Sequence, residues 1–271
     1  METAYTVLDP SRSPAQRGVC ALGVMIKAPR AGSVKTRLVP PLNHDEAAAL
    51  SVCFLRDTAE NIAHVAFEEP AEGVAVYTPV GSERAFDGLL AEGFKLVAQR
   101  GDSFGERLFH AAEDLLALDY ESLCLIDSDS PTLPRACLVE AVSVLAAPGD
   151  RVVLGPSDDG GYYLIGLKRA HHRLFEQITW STRLVLEETI ARAREAGLEV
   201  ALLPSWYDVD DSVTLRRLCD ELFLPEREEG AGEALRGYEA AHTRRFLSQL
   251  VEREGRERIW PTERAPTGAA L

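Results

Sequence analysis

The chain has 271 residues, a formal net charge of −14 and 46% hydrophobic residues, the composition of an ordinary globular protein. The negative charge argues against a nucleic-acid partner, because a phosphate backbone is bound by a broad positive surface. The sequence has no signal-peptide pattern and no apolar stretch of membrane-spanning length, so we expect a cytoplasmic protein without a membrane span.

From residue 19 onward, short apolar segments alternate with helical ones. The predicted strands are residues 20–26, 73–78, 94–98, 123–126, 151–154, 162–167 and 198–203. The predicted helices are residues 44–64 behind an Asn43 cap, 82–90, 105–118, 134–145, 181–196 with a Ser181 cap, a helix from about 212, and 233–254. This alternation predicts an α/β fold, a three-layer sandwich around a mostly parallel sheet.

The composition changes at both ends of the chain. Residues 1–18 are polar and turn-rich and are predicted to be a flexible N-terminal tail, ahead of one α/β domain over 19–224. Residues 225–271 are predicted to contain a linker, a C-terminal helix and a disordered tail. The apolar residues of that helix can pack on the main domain or on a second subunit, so a homodimer is one expected assembly.

Two carboxylates, Asp127 and Asp129, directly follow the apolar strand at 123–126. Ligands of open α/β sheets bind beyond the carboxyl ends of strands, where these side chains would lie. Carboxylate oxygens there suit Mg²⁺ or Mn²⁺, which commonly carry substrate phosphates. A solvated loop or a helix cap is the alternative interpretation.

A basic loop follows the first predicted strand. Its sequence is KAPRAGSVKTRL, residues 27–38, and its candidate phosphate-binding residues are Lys27, Arg30, Gly32, Lys35 and Arg37. Exposed backbone N–H groups and inward-pointing cations at this position suit a di- or triphosphate, although the spacing is not that of a Walker loop. Arg107, in the segment 101–107, is a further candidate phosphate contact. For both segments the alternative is a solvated surface with ion pairs.

Two further acidic segments lie late in the domain. The first is GPSDDGGYY, residues 155–163, whose paired glycines favour either close approach of a ligand or simply a tight hairpin. The second is WYDVDD, residues 206–211, in which Asp211 or Ser212 is expected to cap a helix. Asp210 is instead expected to converge with Asp129 on one cation, which would bring the carboxylates within about 8 Å.

In their order, these segments resemble the short bacterial form of the glycosyltransferase-A fold. The family is described as glycosyltransferase-like, was formerly a domain of unknown function, and has members assigned to arsenosugar biosynthesis. It is related to nucleotidyltransferases that act on phospholactate or molybdopterin. The resemblance covers residues 19–224 and rests on segments 27–38, 101–108, 127–134, 155–166, 180–182 and 208–210. Glycine is usual in the family at Asp127, so Asp129 is the stronger ligand candidate. The segment after Asp210 also departs from the family pattern, which leaves Asp210 as a ligand candidate and weakens any role for an acidic residue downstream.

The resemblance implies a metal-dependent glycosyltransferase that uses a nucleoside diphosphate-sugar donor and a small-molecule acceptor. Magnesium or manganese would be held by Asp129 with Asp127 or Asp210, and the basic loop would contact the donor phosphates. The acceptor side would be formed by Gly155, Gly160, Gly161 and Tyr162, with Asp158 or Asp159 as general base.

Two alternatives remain open at this point. One is a nucleotidyltransferase that joins a nucleoside triphosphate to a small phosphorylated acceptor. The other is a non-catalytic nucleotide-binding module that has kept the fold.

Overall fold

A computed structural model describes residues 4–12, 18–224 and 235–261. Eight strands form one sheet in the order β1-β4-β3-β2-β5-β7-β6-β8. They are β1 (Thr6–Val7), β2 (Cys20–Lys27), β3 (Ala71–Thr78), β4 (Lys95–Ala98), β5 (Ser122–Ile126), β6 (Arg151–Pro156), β7 (Tyr162–Leu167) and β8 (Glu199–Leu202). Strand β7 lies antiparallel to β5 and β6, and every other neighbouring pair is parallel.

Helices cover both faces of the sheet. They are α1 (His44–Glu68), α2 (Phe104–Ala117), α3 (Arg135–Ala146), α4 (Val185–Glu195), α5 (Ser212–Phe223), α6 (Ala241–Glu254) and α7 (Arg256–Ile259). On β2, Leu22 and Val24 pack in one cluster with α1 and α3, whereas Ala21 packs in another with α2 and α4. This alternation is the period-2 pattern of a strand buried on both sides. The structure confirms the predicted three-layer α/β fold.

A third apolar cluster joins the C-terminal helices to the start of α1. Leu247 and Leu250 of α6 are buried there with Leu50 and Phe54 of α1. The buried carboxylate of Asp57 accepts hydrogen bonds from the first backbone N–H groups of α6. The C-terminal helix therefore packs on the main domain.

Side-chain caps fix the beginnings of three helices that matter for the site. Asn43 and Glu46 form a capping box on α1, and Ser103 with Glu106 forms one on α2. Asp211 caps α5 and accepts from the backbone N–H groups of residues 213 and 214. The predicted cap at Asn43 is confirmed, and of the two candidates Asp211 and Ser212 it is Asp211 that caps α5. Asp210 lies outside the cap.

Three predicted helices differ from the structure. Residues 82–90 contain only a short 3-10 helix, Glu83–Phe86, between Gly81 and Gly88, which both have positive φ. Helix α4 begins at Val185 rather than 181, because Ser181 has a left-handed backbone (φ 63°) that interrupts a helix. The described part of the predicted helix 233–254 becomes helical only at Ala241.

The predicted N-terminal tail is partly ordered, because Thr6–Val7 pairs with β4 at the edge of the sheet. The predicted linker at 225–232 and the terminal tail after 261 lie outside the described residues. Among the helices that the structure describes, none is both long and apolar enough to span a membrane.

Candidate active site

The acidic segments meet at the carboxyl edge of the sheet. Asp210, however, does not reach this edge directly from the end of a strand next to β5. Strands β7 and β6 separate β8 from β5, so residues 208–210 do not leave a neighbouring strand. Instead the chain after β8 crosses the strand ends. The Trp206 N–H donates to the Pro156 carbonyl (3.0 Å), and the Val209 N–H donates to the Asp129 carbonyl (2.9 Å). These backbone bonds hold Asp210 beside Asp129.

Lys35 lies between these two carboxylates. Its Nζ is 2.7 Å from Asp129 Oδ1 and 3.1 Å from Asp210 Oδ1, so the two oxygens are within about 6 Å of each other. It also donates to the Val209 carbonyl (2.7 Å), and only 5% of its side chain is exposed. The predicted convergence of Asp129 and Asp210 is therefore present around an ammonium. Their role as metal ligands stays a prediction.

The local backbone explains how Lys35 reaches this position. Lys35 has left-handed dihedrals (φ 48°, ψ 37°) just before the 3-10 helix Thr36–Leu38. Its ammonium lies 5.4 Å from the centre of the Phe54 ring, within cation–π distance. Burial alone lowers the Lys35 pKa, but attraction to Asp129 and Asp210 outweighs it and raises this pKa above its usual value. The side chain is thus held charged inside the protein.

Asp127 is hydrogen-bonded to the loop that follows it, and its predicted role as a metal ligand stays a prediction. Its Oδ1 accepts from the backbone N–H groups of Asp129 (3.1 Å) and Ser130 (3.2 Å), and its Oδ2 accepts from the Ser130 hydroxyl (3.0 Å). Burial, then repulsion from Asp129 and Asp208, raises the Asp127 pKa well above its usual range. Asp127 therefore shapes the loop that presents Asp129, because its oxygens face that loop.

Asp208 is a site residue that the sequence analysis left out. This half-buried carboxylate accepts from the Ser157 hydroxyl (3.0 Å), and burial together with repulsion from Asp210 and Asp159 raises its pKa. The spacing of Asp208 and Asp210 was the available signal, since alternate residues of an extended segment share a side.

Two cavities flank the carboxylates. We call the first, of about 620 Å³, the loop pocket, and the second, of about 580 Å³, the hairpin pocket. The residues lining both are Met25, Arg37, Phe104, Ser128, Asp129 and Asp210. The carboxylate pair thus stands at the junction of two compartments, the arrangement expected for transfer between two bound molecules.

The loop pocket brings together most of the predicted phosphate-binding cations. Lys27, Lys35, Arg37 and Arg107 line it, although they are up to eighty residues apart in sequence. The exceptions are Arg30 and Gly32, which lie outside the lining of both cavities and turn the loop instead: the Arg30 carbonyl accepts from the N–H of residue 33.

The turn between β6 and β7 separates the two predicted general-base candidates. Asp158 forms an ion pair with Arg217 of α5 (2.5 Å), and Arg217 stacks 3.9 Å from the Tyr207 ring centre. Asp159 instead lines the hairpin pocket, and its Oδ1 accepts from the Gly161 N–H (2.8 Å). The turn thus directs Asp158 to α5 and Asp159 to the cavity.

The predicted acceptor-side residues also divide. Gly161 and Tyr162 line the hairpin pocket, whereas Gly155 and Gly160 do not. A Cβ at Gly155 would lie 2.3 Å from the Tyr163 ring, and one at Gly160 would lie 2.4 Å from the backbone of residue 183. Gly155 and Gly160 are therefore required for packing rather than for contact with a ligand in this cavity.

The two pockets differ in charge. Apart from shared residues, the loop pocket contains the cations Lys27, Lys35 and Arg107. The hairpin pocket instead adds Asp127 and Asp159, with Arg183 as a cation. It also has aromatic walls, formed by Tyr162, Tyr163 and the edge-to-face pair Phe104 and Trp180, whose ring centres are 5.1 Å apart. One side of the carboxylates favours an anion and the other does not.

A second group with metal-ligand chemistry lies away from this edge. The potential ligand atoms of Asp57, Glu60 and His242 are all within 4.8 Å of one another. No histidine spacing indicated it, because docking of α6 on α1 creates the group. His242 Nε2 and Glu60 Oε1 are hydrogen-bonded (2.7 Å), and Asp57 caps α6, so helix docking accounts for these contacts.

Solved structures support the fold class. A crystal structure from Desulfovibrio desulfuricans G20, described as a candidate nucleotide-diphospho-sugar transferase, is 28% identical, with a TM-score of 0.72. The match covers 87% of this chain and 97% of that one. The fold is of the nucleotide-diphospho-sugar transferase type.

The family comparison agrees with the predicted resemblance. Residues 61–182 match the family described as "Uncharacterized protein conserved in bacteria (DUF2064)", which confirms that resemblance over this part of the chain. No curated protein shows significant sequence similarity to it.

Two further solved structures are less similar to this chain. A cytidylyltransferase from Leptospira borgpetersenii serovar Hardjo-bovis (strain JB197) is 12% identical, with a TM-score of 0.48, over 92% of this chain and 100% of that one. A manganese complex of Rv0371C from Mycobacterium tuberculosis H37Rv is 16% identical, with a TM-score of 0.45, over 74% and 98%.

Proposed function

We propose that the protein is a glycosyltransferase that binds a nucleoside diphosphate-sugar and passes the sugar to an acceptor without a phosphate group. The observation that carries this proposal is the difference in charge between the two pockets on either side of Asp129 and Asp210. The 28% identical structure described as a candidate nucleotide-diphospho-sugar transferase supports the same class.

The donor diphosphate fits the loop pocket. Lys27 and Arg107 line it from two different elements, and each is a donor that phosphate oxygens accept well. Arg37 is 72% exposed and lies 3.6 Å from Asp210, so it can turn from that carboxylate to a bound diphosphate. These three cations would position the leaving group beside the carboxylates.

Asp129 and Asp210 fit a divalent cation, because their oxygens already converge on one positive charge, the Lys35 ammonium. Magnesium is commonly bound by one or two protein carboxylates, and substrate phosphates complete its coordination. A bound Mg²⁺ or Mn²⁺ would neutralise the charge that develops on the leaving diphosphate. Asp127 and Asp208 would orient the two loops that hold this pair.

The acceptor would occupy the hairpin pocket. Its aromatic walls suit the apolar face of a sugar or of another hydroxyl-bearing molecule. Asp159 is placed to take the proton from the attacking acceptor hydroxyl, since it lines this cavity and its Oδ2 is not used by the turn. Arg183 provides one positive charge at the rim.

A nucleotidyltransferase is the alternative activity on this fold. In that reaction a phosphate of the acceptor attacks the α-phosphorus, so the acceptor carries negative charge into the second pocket. Asp159 in the hairpin pocket, together with the shared carboxylates Asp129 and Asp210, opposes such a substrate. The charge distribution therefore favours a neutral acceptor.

The test is a thermal-shift panel of nucleoside diphosphate-sugars, diphosphates and triphosphates, each with and without Mn²⁺. A ligand that binds only the folded state raises Tm by mass action. We expect the largest manganese-dependent rise with one diphosphate-sugar, and release of its nucleoside diphosphate when an acceptor is supplied.

Stabilisation by a triphosphate alone, with pyrophosphate release, would instead identify a nucleotidyltransferase. The absence of any nucleotide effect would reject both activities. The Asp129→Asn variant serves as the control, because it removes one carboxylate charge without changing the volume of the side chain.

A further inference from the structure

Every hydrogen-bond donor of the Lys35 ammonium has a partner within the protein. The three partners are the carboxylates of Asp129 and Asp210 and the backbone carbonyl of Val209, at 2.7, 3.1 and 2.7 Å. An ammonium has three donors, so no donor is left for a substrate in this arrangement. The side chain is 5% exposed, which makes Lys35 an internal counter-ion of the carboxylate pair.

Lys35 also borders the loop pocket, where the donor diphosphate is proposed to bind. Its flexible four-carbon chain can carry the ammonium from the carboxylates to that pocket without a change in the main chain. Two sets of anionic partners are thus within reach of one ammonium: the carboxylates of the protein and the phosphates of the ligand.

We propose that Lys35 occupies the cation position of the active site until a divalent ion displaces it, and that the displaced ammonium then donates to the donor diphosphate. This proposal rests on the proposed function, because it takes Asp129 and Asp210 as the metal ligands and the loop pocket as the diphosphate site. No covalent bond forms or breaks in the exchange.

The exchange predicts that the protein binds a divalent ion more weakly alone than together with a diphosphate. A free divalent ion has to displace Lys35 from both carboxylates and from the Val209 carbonyl, which costs three charge-assisted hydrogen bonds. When a diphosphate is present, the released ammonium regains partners, so metal and diphosphate strengthen each other's binding. Metal alone is therefore expected to bind weakly to the unmodified protein.

The test measures binding of Mn²⁺ alone, by electron paramagnetic resonance of the free ion, to the unmodified protein and to Lys35→Met. The variant keeps a side chain of similar length and removes the competing charge. We expect it to bind Mn²⁺ at least about tenfold more tightly, because a positive charge close to both carboxylates has been removed. Equal or weaker binding by Lys35→Met would overturn the proposal.

Lys27→Met is the matched control. Lys27 belongs to the same loop and lines the same pocket, but its Nζ donates to the carbonyl of residue 33 (3.0 Å) and to neither carboxylate. Its manganese affinity should equal that of the unmodified protein. A tenfold gain in Lys27→Met as well would show a general charge effect and would overturn displacement at Lys35.

Thermal stability provides an independent readout, and it also shows whether the Lys35 variants are folded. Without metal, Lys35→Met leaves two carboxylates close together and should melt at a lower temperature, and Mn²⁺ should raise its Tm more than that of the unmodified protein. Lys35→Gln, which can still donate to the Val209 carbonyl, should behave in the same way. No manganese effect on either variant would overturn the proposal.

This outcome is separable from that of the proposed function, because the measurement needs neither nucleotide nor acceptor. A nucleotide panel without any stabilising ligand would reject the glycosyltransferase while the manganese comparison remained interpretable. Conversely, equal manganese affinities would reject displacement and leave diphosphate-sugar binding untouched.

Discussion

Neighbouring residues of the turn between β6 and β7 have different surroundings and therefore different expected roles. Asp158 is engaged by Arg217, whereas Asp159 faces the hairpin pocket. The sequence Asp-Asp does not distinguish them, because a turn directs consecutive side chains in ways that depend on its dihedrals.

We predict that Asp159→Ala lowers the rate of sugar transfer by about 10²- to 10⁴-fold, the usual contribution of a general base. The neighbouring Asp158→Ala is the matched variant and should change kcat far less, since it removes an ion pair outside the cavity. Steady-state kinetics of both variants test this. Similar losses in the two would contradict the assignment of Asp159.

Glu46 links the start of α1 to α7. It accepts from the Asn43 N–H (2.9 Å) and from Arg258 (2.5 Å). Burial raises its pKa, but the hydrogen bonds from Arg258 and from the Asn43 backbone outweigh burial, so the Glu46 pKa is lower than its ordinary value of 4.5. Such a carboxyl stabilises the fold above pH 4.5, and this stabilisation is lost as the pH falls through the lowered pKa.

Glu46→Gln should therefore lower the free energy of unfolding at pH 7 by about 1.5–3 kcal/mol, the value of a hydrogen bond to a charged group. The difference from the unmodified protein should shrink as the pH falls from 4.5 through the lowered native pKa, because the carboxyl becomes protonated first in the unfolded and then in the folded protein. Urea unfolding at several pH values measures it, with the exposed Glu252→Gln as control. A difference independent of pH would contradict this ionic mechanism.

At the scale of elements, the turn after β6 is held against the first residues of α4 and the segment that precedes them. The Leu186 N–H donates to the Gly160 carbonyl (2.9 Å). Gly160 has a φ of 93°, and the backbone of residue 183 occupies the space that a side chain at Gly160 would need. The contact lies beside the hairpin pocket, which is lined by the adjoining residues Gly161, Arg183 and Val185.

Gly160→Ala should destabilise the protein by at least about 1 kcal/mol more than Gly93→Ala, because overpacking adds to backbone strain. Gly93 is a matched control, with φ 88° and open space at its Cβ position, so its variant bears only the left-handed penalty of about 1–2 kcal/mol. Urea unfolding of both variants measures the difference. Equal losses of stability in the two variants would show that the backbone around residue 183 moves to accept the added methyl group without an energetic penalty.

At the scale of the whole molecule, the C-terminal helices belong to the main folding unit rather than to an appended segment. Leu247 of α6 is fully buried in the cluster that also contains Phe54 of α1. That ring contacts Lys35 as well, so the C-terminal packing supports the position of a site residue.

Leu247→Ala should lower the free energy of unfolding by about 2–5 kcal/mol, the cost of truncating a buried leucine, while unfolding stays a single transition. Val213→Ala, at a position that is 73% exposed, should change it by less than about 0.5 kcal/mol. Calorimetry and circular dichroism test both variants. A separate early transition in Leu247→Ala would show that the C-terminal helices unfold on their own.

The sequence by itself determined the features that depend on local pattern. Continuous apolar runs such as residues 123–126 predict buried parallel strands, and Asn43 and Asp211 predict helix starts, because these signals act within a few residues. The ends of the predicted strands also indicated where the polar site residues lie. Asp129 and the basic loop were predicted at the carboxyl edge of the sheet, and both are found there.

Tertiary structure decided which partners these residues contact. Lys35 was predicted to bind phosphate, yet it lies against Asp129 and Asp210, because the chain after β8 crosses two strand ends to reach it. The same crossing segment places Asp208 near Asp159, and packing of α6 against α1 places His242 beside Asp57. Such contacts join residues from 51 positions apart (Ser157 and Asp208) to 175 positions apart (Lys35 and Asp210) and beyond. Local sequence patterns carry no information about which distant segments will meet.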